Sequence, residues 1–173
     1  MKWSKPVKKV LETGWFSIDA IPSKSTAGKP YYRLSCDDSV EILAVTSQQE
    51  IILVRQFRPA VEMLMLELPA GYVNQGESNH EAVQRELWEE TRYVCDSVSY
   101  LGAFKIAPSR INNTLHLFCG KEARLKGLQD MGDSESEVVL VTQDEFRKLI
   151  DEGKFLEVAG ITTYYLAQTA GLI

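Results

Sequence analysis

Nowhere in the 173 residues does an apolar run reach the roughly 18 to 20 positions that a membrane-spanning helix needs. An excess of basic residues is missing too. Nineteen Lys and Arg stand against 24 Asp and Glu, a net charge of -5, which is the wrong balance for gripping a nucleic-acid backbone. Such a balance still leaves room for a small phosphorylated substrate held by a few local arginines. Cysteine is scarce: Cys36, Cys95 and Cys119 are odd in number and widely spaced. They form neither a disulfide framework nor a C-x-x-C metal pair, so buried reduced thiols in a cytoplasmic protein are expected. The basic start at residues 1 to 9 is followed by no apolar segment of the secretory kind, so no signal is read there. Repeats and low-complexity stretches are also absent. What remains is a composition of 45% hydrophobic and 25% charged residues, ordinary for one soluble globular domain.

The chain divides into two textures. Residues 1 to 39 are polar and turn-rich, with short strands hinted between Val7 and Ile18 and again at Tyr31 to Ser35. They read as a β-rich appendage and not as a self-sufficient core. From residue 40 the pattern becomes that of a packed domain reaching to residue 173. Val40 to Val45 and Glu50 to Val54 are branched apolar runs around a polar turn, a hairpin of buried strands. Met63 to Leu68 is a further strand, and Pro69-Ala70-Gly71 is a strong breaker after it. Ser78, with Glu81 three residues on, forms a capping box that opens a helix running to Arg92. Val98 to Phe104, Thr114 to Cys119 and Glu137 to Val141 read as strands. Thr142 caps a second helix, and Val158 to Ala170 forms a third. Strands mixed with helices in this order give an α/β fold, a mixed sheet covered on both faces.

The chemistry is concentrated on the first helix. Glu86, Glu89 and Glu90 project within one arc of about 100°. Three carboxylates on one face repel one another unless a cation sits among them. A solvated acidic face is one reading. A hard divalent cation completed by water and phosphate oxygen is the other. Gly71 precedes the cluster at a strand end, where backbone approaches something closely. Arg85 can reach back to Glu77 and fix the loop against the helix.

Gly71, Glu77, Arg85, Glu86, Leu87, Glu89 and Glu90 stand at the spacing G-x5-E-x7-R-E-U-x-E-E, with U apolar, and this stretch resembles the Nudix box. Two positions depart from it: Arg92 stands where the family usually has Gly, and Tyr93 only loosely serves as the final apolar residue. The resemblance extends to Val54-Arg55-Gln56-Phe57-Arg58-Pro59 and Leu66-Glu67-Leu68-Pro69-Ala70-Gly71. Both are similar to the branch that hydrolyses ADP-ribose and nucleoside diphosphate sugars.

That resemblance implies an α/β/α sandwich around a mixed sheet, with an N-terminal strand-rich appendage that packs on, or swaps with, a second subunit. It implies metal-dependent hydrolysis of a diphosphate bond, giving a nucleoside monophosphate and a sugar phosphate. The cofactor implied is Mg²⁺, with Mn²⁺ as the substitute. Glu86, Glu89, Glu90 and the carbonyl oxygen of Ala70 are the metal ligands it suggests. Arg58, whose planar guanidinium matches phosphate oxygens, is expected to bind substrate together with Arg55 and Glu67. Arg85 and Glu77 orient the cluster.

The family's general base falls, in this alignment, at Asn113, with Asn112 the alternative, and an amide cannot take a proton from water. Glu135 and Glu137 are the replacement candidates, followed by Glu89 or Glu90 acting on metal-bound water. The alternative from another class is a Nudix-fold module that binds nucleotide sugars with little or no turnover. A hydrolase of triphosphates or capped RNA is a further reading, disfavoured by the two flanking segments and the acidic charge. The expected partners are a small nucleotide sugar and a second copy of the chain, with no nucleic acid and no membrane.

Overall fold

The computed structural model describes residues 7–22, 28–127 and 136–173. Its strands and helices follow the order read from the sequence, with two additions. Three strands, β1 (Lys8–Glu12), β2 (Ser17–Ile21) and β3 (Tyr31–Ser35), form an antiparallel sheet of their own. The main sheet contains β4 (Ser39–Thr46), β5 (Glu50–Arg58), β6 (Met63–Glu67), β7 (Ala70–Tyr72), β8 (Tyr93–Val94), β9 (Ser97–Phe104), β10 (Leu115–Leu125) and β11 (Glu137–Thr142). Helix α1 (Asn79–Thr91) lies on one face; α2 (Gln143–Asp151) and α3 (Val158–Thr169) lie on the other. The sheet is mixed, because β10 runs parallel to β4 while its pairing with β9 is antiparallel.

The period of two along β4 explains the layers. Val40, Ile42 and Ala44 pack against Ala82, Val83 and Leu87 of α1. Leu43 and Val45 face Phe146 of α2 and Tyr164 and Ala167 of α3. With both faces covered, β4 and β5 read as near-continuous apolar runs. Phe146 anchors its side through edge contacts with Phe155 at 4.7 Å and Tyr164 at 5.0 Å between ring centroids. Glu41 falls on the α3 side of the same alternation, an acid in a core position.

The hairpin expected from Val40 to Val54 is real only at its turn. β4 and β5 pair at Val45↔Ile51 and then diverge. β6 takes the edge of β5, from Val54↔Glu67 to Arg58↔Met63. β7 takes the edge of β4, through Glu41↔Ala70, Val40↔Gly71 and Ser39↔Tyr72. The breaker Pro69 therefore does not end the sheet. It lets the chain cross from one arm of the split to the other, with the Pro69 carbonyl accepting from Ile42 N–H at 3.0 Å. The strand end at this split is where α1 presents its carboxylates.

The N-terminal sheet is fastened to the main body by β3. Leu34 N–H donates to the Arg110 carbonyl at 2.8 Å, and Asn112 N–H donates back to the Leu34 carbonyl at 3.3 Å. Within the small sheet, Asp19 is buried and accepts from Arg33 at 2.7 Å and from Ser35 at 2.6 Å. Val10, Leu11, Trp15 and Tyr32 on this sheet and its connections are exposed.

Candidate functional site

Helix α1 starts where the sequence places it. The Ser78 side chain accepts from Glu81 N–H, and Glu81 returns a bond to the Ser78 backbone. Ala82, Val83, Leu87 and Thr91 are buried, which fixes the helix rotation and leaves Glu86 and Glu90 at the border of the packed face. Both reach toward β7. A Cβ built on Gly71 would overlap the Glu86 carboxylate, so glycine is what gives that carboxylate room against the strand. Glu90 Oε2 accepts from Ala70 N–H at 3.1 Å. Burial pushes the Glu90 carboxyl up to about 7, against the pull of that bond. Glu86 is raised as well, chiefly by burial, with Arg85 pulling it back.

Arg85 is the hub of the loop. Its Nε donates to Glu77 Oε1 at 2.8 Å and its Nη2 to Glu77 Oε2 at 2.9 Å, a bidentate pair. Nη2 also donates to the Tyr72 carbonyl at 2.9 Å, and Nη1 to Glu86 at 2.7 Å and Glu89 at 3.0 Å. Every N–H of the guanidinium thus has an acceptor. The Arg85 guanidinium holds the Glu77 carboxyl below the usual carboxylate range, and is itself held more firmly protonated. One side chain therefore ties the loop at Glu77, the end of β7 and two carboxylates of the cluster.

Among the described residues, no three His, Cys, Asp or Glu side chains are gathered tightly enough to hold a metal unaided. Glu86 and Glu89 are turned to Arg85 instead. The donor set nonetheless fits a hard dication of the Mg²⁺ type. Such an ion takes one or two carboxylates and leaves its other positions to water and phosphate. Glu86, Glu90 and the backbone at Ala70 supply oxygens of that kind on facing elements.

Across the split lie the residues expected to meet substrate. Arg58 Nε donates to Glu67 Oε1 at 2.9 Å, and Gln56 donates to Glu67 Oε2 at 2.9 Å. Glu67 is buried, so Arg58 is its counter-ion in this state. Behind Glu67 is a pair that the sequence reading did not single out. Glu41 is 1% exposed and faces Glu157 of the loop before α3, carboxyl to carboxyl. Thr163 donates to Glu41, and Leu68 N–H donates to Glu157 Oε2 at 3.1 Å. Burial pushes both carboxyls upward; the charge of Glu41 raises Glu157 further, while the bond to Glu157 pulls Glu41 back. An acid inside the apolar run of β4 was the available signal for Glu41. Glu157, 89 positions from Leu68, left none.

The candidate bases are dispersed. Glu137 sits opposite Arg55 in the β11–β5 ladder and pairs with it at 2.8 Å. Glu135 lies outside the described residues. Asn113 is buried, with its side-chain N–H 3.5 Å from Ser39 Oγ, and its backbone carbonyl accepts from Lys105 at 3.0 Å. Arg92 carries out the helix stop expected of glycine: its φ of 63° is left-handed, and its N–H bonds to the Trp88 carbonyl at 2.8 Å. Its guanidinium stacks on Trp88 at 4.5 Å. Trp88 is not a core residue; it is exposed on α1, and its indole N–H donates to the Lys126 carbonyl at 3.1 Å.

A NUDIX domain match spans residues 37–158, most of the chain. The chain belongs to the Nudix family. Among Nudix relatives, it is 33% identical over 132 residues to an ADP-ribose pyrophosphatase of Bacillus subtilis, covering 75% of this chain and 70% of that protein. It is 30% identical over 123 residues to the methanol dehydrogenase activator of Bacillus methanolicus, covering 69% of this chain and 65% of that protein. A crystal structure titled ADP compounds hydrolase superposes with a TM-score of 0.78 at 19% identity, over 97% of this chain and 95% of that one. This likeness establishes the fold: the Nudix sandwich expected from the box is the architecture found.

Proposed function

We propose that this Nudix protein hydrolyses the diphosphate bond of nucleoside diphosphate sugars, with ADP-ribose or a hexose-linked nucleotide as substrate. Water adds to one phosphorus and the bridging P–O bond breaks, giving a nucleoside monophosphate and a sugar phosphate. The observation that carries the reading is the meeting of Glu86, Glu90 and Ala70 at the strand split, with Arg58 across from them. Glu86, Glu90 and the Ala70 carbonyl would hold Mg²⁺ or Mn²⁺, with Glu89 in contact directly or through water. The ion, when bound, supplies charge neutralisation at the non-bridging oxygens and a more acidic water. Arg85, through one Nη1, bridges Glu86 and Glu89 and offsets their mutual repulsion before the ion arrives. Arg58 exchanges Glu67 for the substrate diphosphate, since its fork suits phosphate oxygens as well as carboxylate. Arg55 and Glu67 complete the substrate-binding side. Glu137 or Glu135 takes the proton from water, with Glu89 or Glu90 next in order.

The substrate class is supported by the flanking segments around Arg58 and Glu67 and by the name of the Bacillus subtilis relative. A panel of ADP-ribose, nucleotide hexoses, dinucleotides and triphosphates, with and without Mg²⁺, tests it. Turnover restricted to triphosphates contradicts the proposal. The competing reading, a binding module with little turnover, is favoured by the buried Asn113 where the family's base aligns. Tight binding of ADP-ribose without product would select it.

We also propose that residues 1–39 are a dimerisation appendage to a catalytic domain at residues 40–173. The exposed Val10, Leu11, Trp15 and Tyr32 on a small separate sheet support this, because a second copy would cover them. A monomeric mass by light scattering contradicts it. A cytoplasmic location is proposed from the free Cys95 and Cys119, both buried as thiols. No described helix is long and apolar enough to cross a membrane.

A further inference from the structure

Glu157 occupies the N-cap position of α3, yet its side chain makes no capping bond. It turns away from its own helix. Oε2 accepts from Leu68 N–H at 3.1 Å, and the carboxyl also meets that of Glu41. Two features make room for this. Gly160, one turn into α3, has no Cβ; one there would press on the Phe155 ring at 2.7 Å and lie 3.1 Å from Glu157 Oε2. Thr163, a turn further on, donates to Glu41 and holds the second acid in place. The bonds thus run from α3 through Thr163, Glu41 and Glu157 to the backbone of Leu68.

Leu68 begins the three-residue strut that crosses the split. Each residue of this strut is tied to a different element. Leu68 N–H goes to Glu157, the Pro69 carbonyl to Ile42 N–H of β4, and Ala70 N–H to Glu90 of α1. Pro69 has no N–H to offer, so Leu68 and Ala70 carry the strut's two backbone donors, and Ala70 is held besides by its pairing with Glu41 in the β4–β7 ladder. Release of the first would leave it pinned from β4 and α1 alone.

We infer that Glu157, backed by Glu41, is a positioning residue that anchors the Leu68–Ala70 strut to α3 and so fixes the Ala70 carbonyl relative to Glu86 and Glu90. The role rests on the metal reading given above. It does not require Glu157 to touch metal or substrate. An amide can replace it: the oxygen of Gln accepts from Leu68 N–H, and its N–H donates to Glu41.

The test measures Mn²⁺ affinity of the full chain by the electron paramagnetic resonance of free ion, alongside amide exchange at Leu68 and thermal unfolding. Glu157→Ala is expected to weaken Mn²⁺ binding by about 10- to 100-fold, the range for partners that orient metal ligands. It is also expected to expose the Leu68 amide and to lower kcat more than it raises substrate KM. Glu157→Gln restores most of the affinity and the protection. Parent-like Mn²⁺ affinity in Glu157→Ala overturns the inference, as does a Glu157→Gln as weak as the Ala variant. Should Glu157→Ala not fold, Glu157→Asp, whose reach is one methylene shorter, is read the same way. A parent that binds no Mn²⁺ removes the metal reading itself and this role with it. That outcome differs from a parent that binds while the variants match it.

Discussion

Ala70 N–H and Glu90 Oε2 are bonded at 3.1 Å, which ties the end of the crossing strut to the helix bearing the acidic cluster. Through that bond, the glycine next along the chain is carried against Glu86. The geometry of the proposed metal site is therefore set by contacts between the β7 backbone and α1 as much as by the carboxylates.

Gly71→Ala tests that closeness. The added methyl meets the end of a flexible side chain, so Glu86 can move aside and the fold survives. Thermal stability is expected to change by no more than about 1 kcal/mol, a small effect for a single substitution. Mn²⁺ affinity is expected to fall by at least tenfold, since displacing a ligand should exceed the roughly 10-fold lower bound seen for outer partners. Calorimetry of Mn²⁺ binding checks both halves when paired with a melting curve.

Arg85→Lys is not conservative here. An ammonium offers fewer donors and no fork, so part of the Glu77, Tyr72, Glu86 and Glu89 set goes unmet. A loss of about 1 to 3 kcal/mol is expected, the cost of leaving partly buried groups unpaired. The pH dependence has a definite sign. Glu77 has a depressed carboxyl, so its contribution is present above its ordinary value of 4.5 and disappears as pH falls through the folded value. The gap between parent and Arg85→Lys in melting temperature should narrow as pH falls below 4.5 and through the folded value of Glu77. A gap that is constant with pH counts against the pairing.

The buried acids have the opposite sign. Glu41 and Glu157 carry raised carboxyls, so their stabilisation is complete below the ordinary value of 4.5 and is lost as pH rises through the folded values. Metal-free protein is expected to lose stability from slightly acid to alkaline pH. Glu41→Gln should flatten that fall and melt higher than the parent at alkaline pH. Denaturant titrations across the range decide it; a parent that grows more stable on alkalinisation contradicts the raised carboxyls.

Arg92 holds a left-handed backbone at a cost of about 1 to 2 kcal/mol for an L-residue. Stacking on Trp88 offsets about 0.5 to 1 kcal/mol of that. Arg92→Gly should therefore be neutral or stabilising by less than about 1 kcal/mol. Arg92→Val, β-branched and without the stacking, should be destabilising. Urea unfolding of the two variants separates them, and a destabilised Arg92→Gly refutes the balance drawn here.

Much of this was legible in the residues themselves. The capping boxes at Ser78 and Thr142 gave both helix starts, because their bonds are local. The box spacing brought Glu77, Arg85, Glu86 and Glu90 together, because helical periodicity and one loop are enough to do so. β7 was hidden, since Pro69-Ala70-Gly71 looks like an ending when the partner strand is not known. The separation of β4 from β5 after one pair was hidden for the same reason. Glu157 was invisible because its meaning depends on Leu68, far away in the chain. Short-range chemistry is written in order along the sequence; bonds across the split are not.

The most direct measurement is product release from ADP-ribose at saturating Mg²⁺ by the parent and by Glu90→Gln. The amide keeps an oxygen for Ala70 N–H, so the fold and the strut are retained while the charge is lost. Metal-dependent release of AMP and ribose phosphate by the parent is the expected result. In Glu90→Gln a loss of about 100-fold or more is expected, beyond what outer partners cost. Equal turnover in the two proteins, or turnover by the parent that ignores Mg²⁺, would contradict the proposed function.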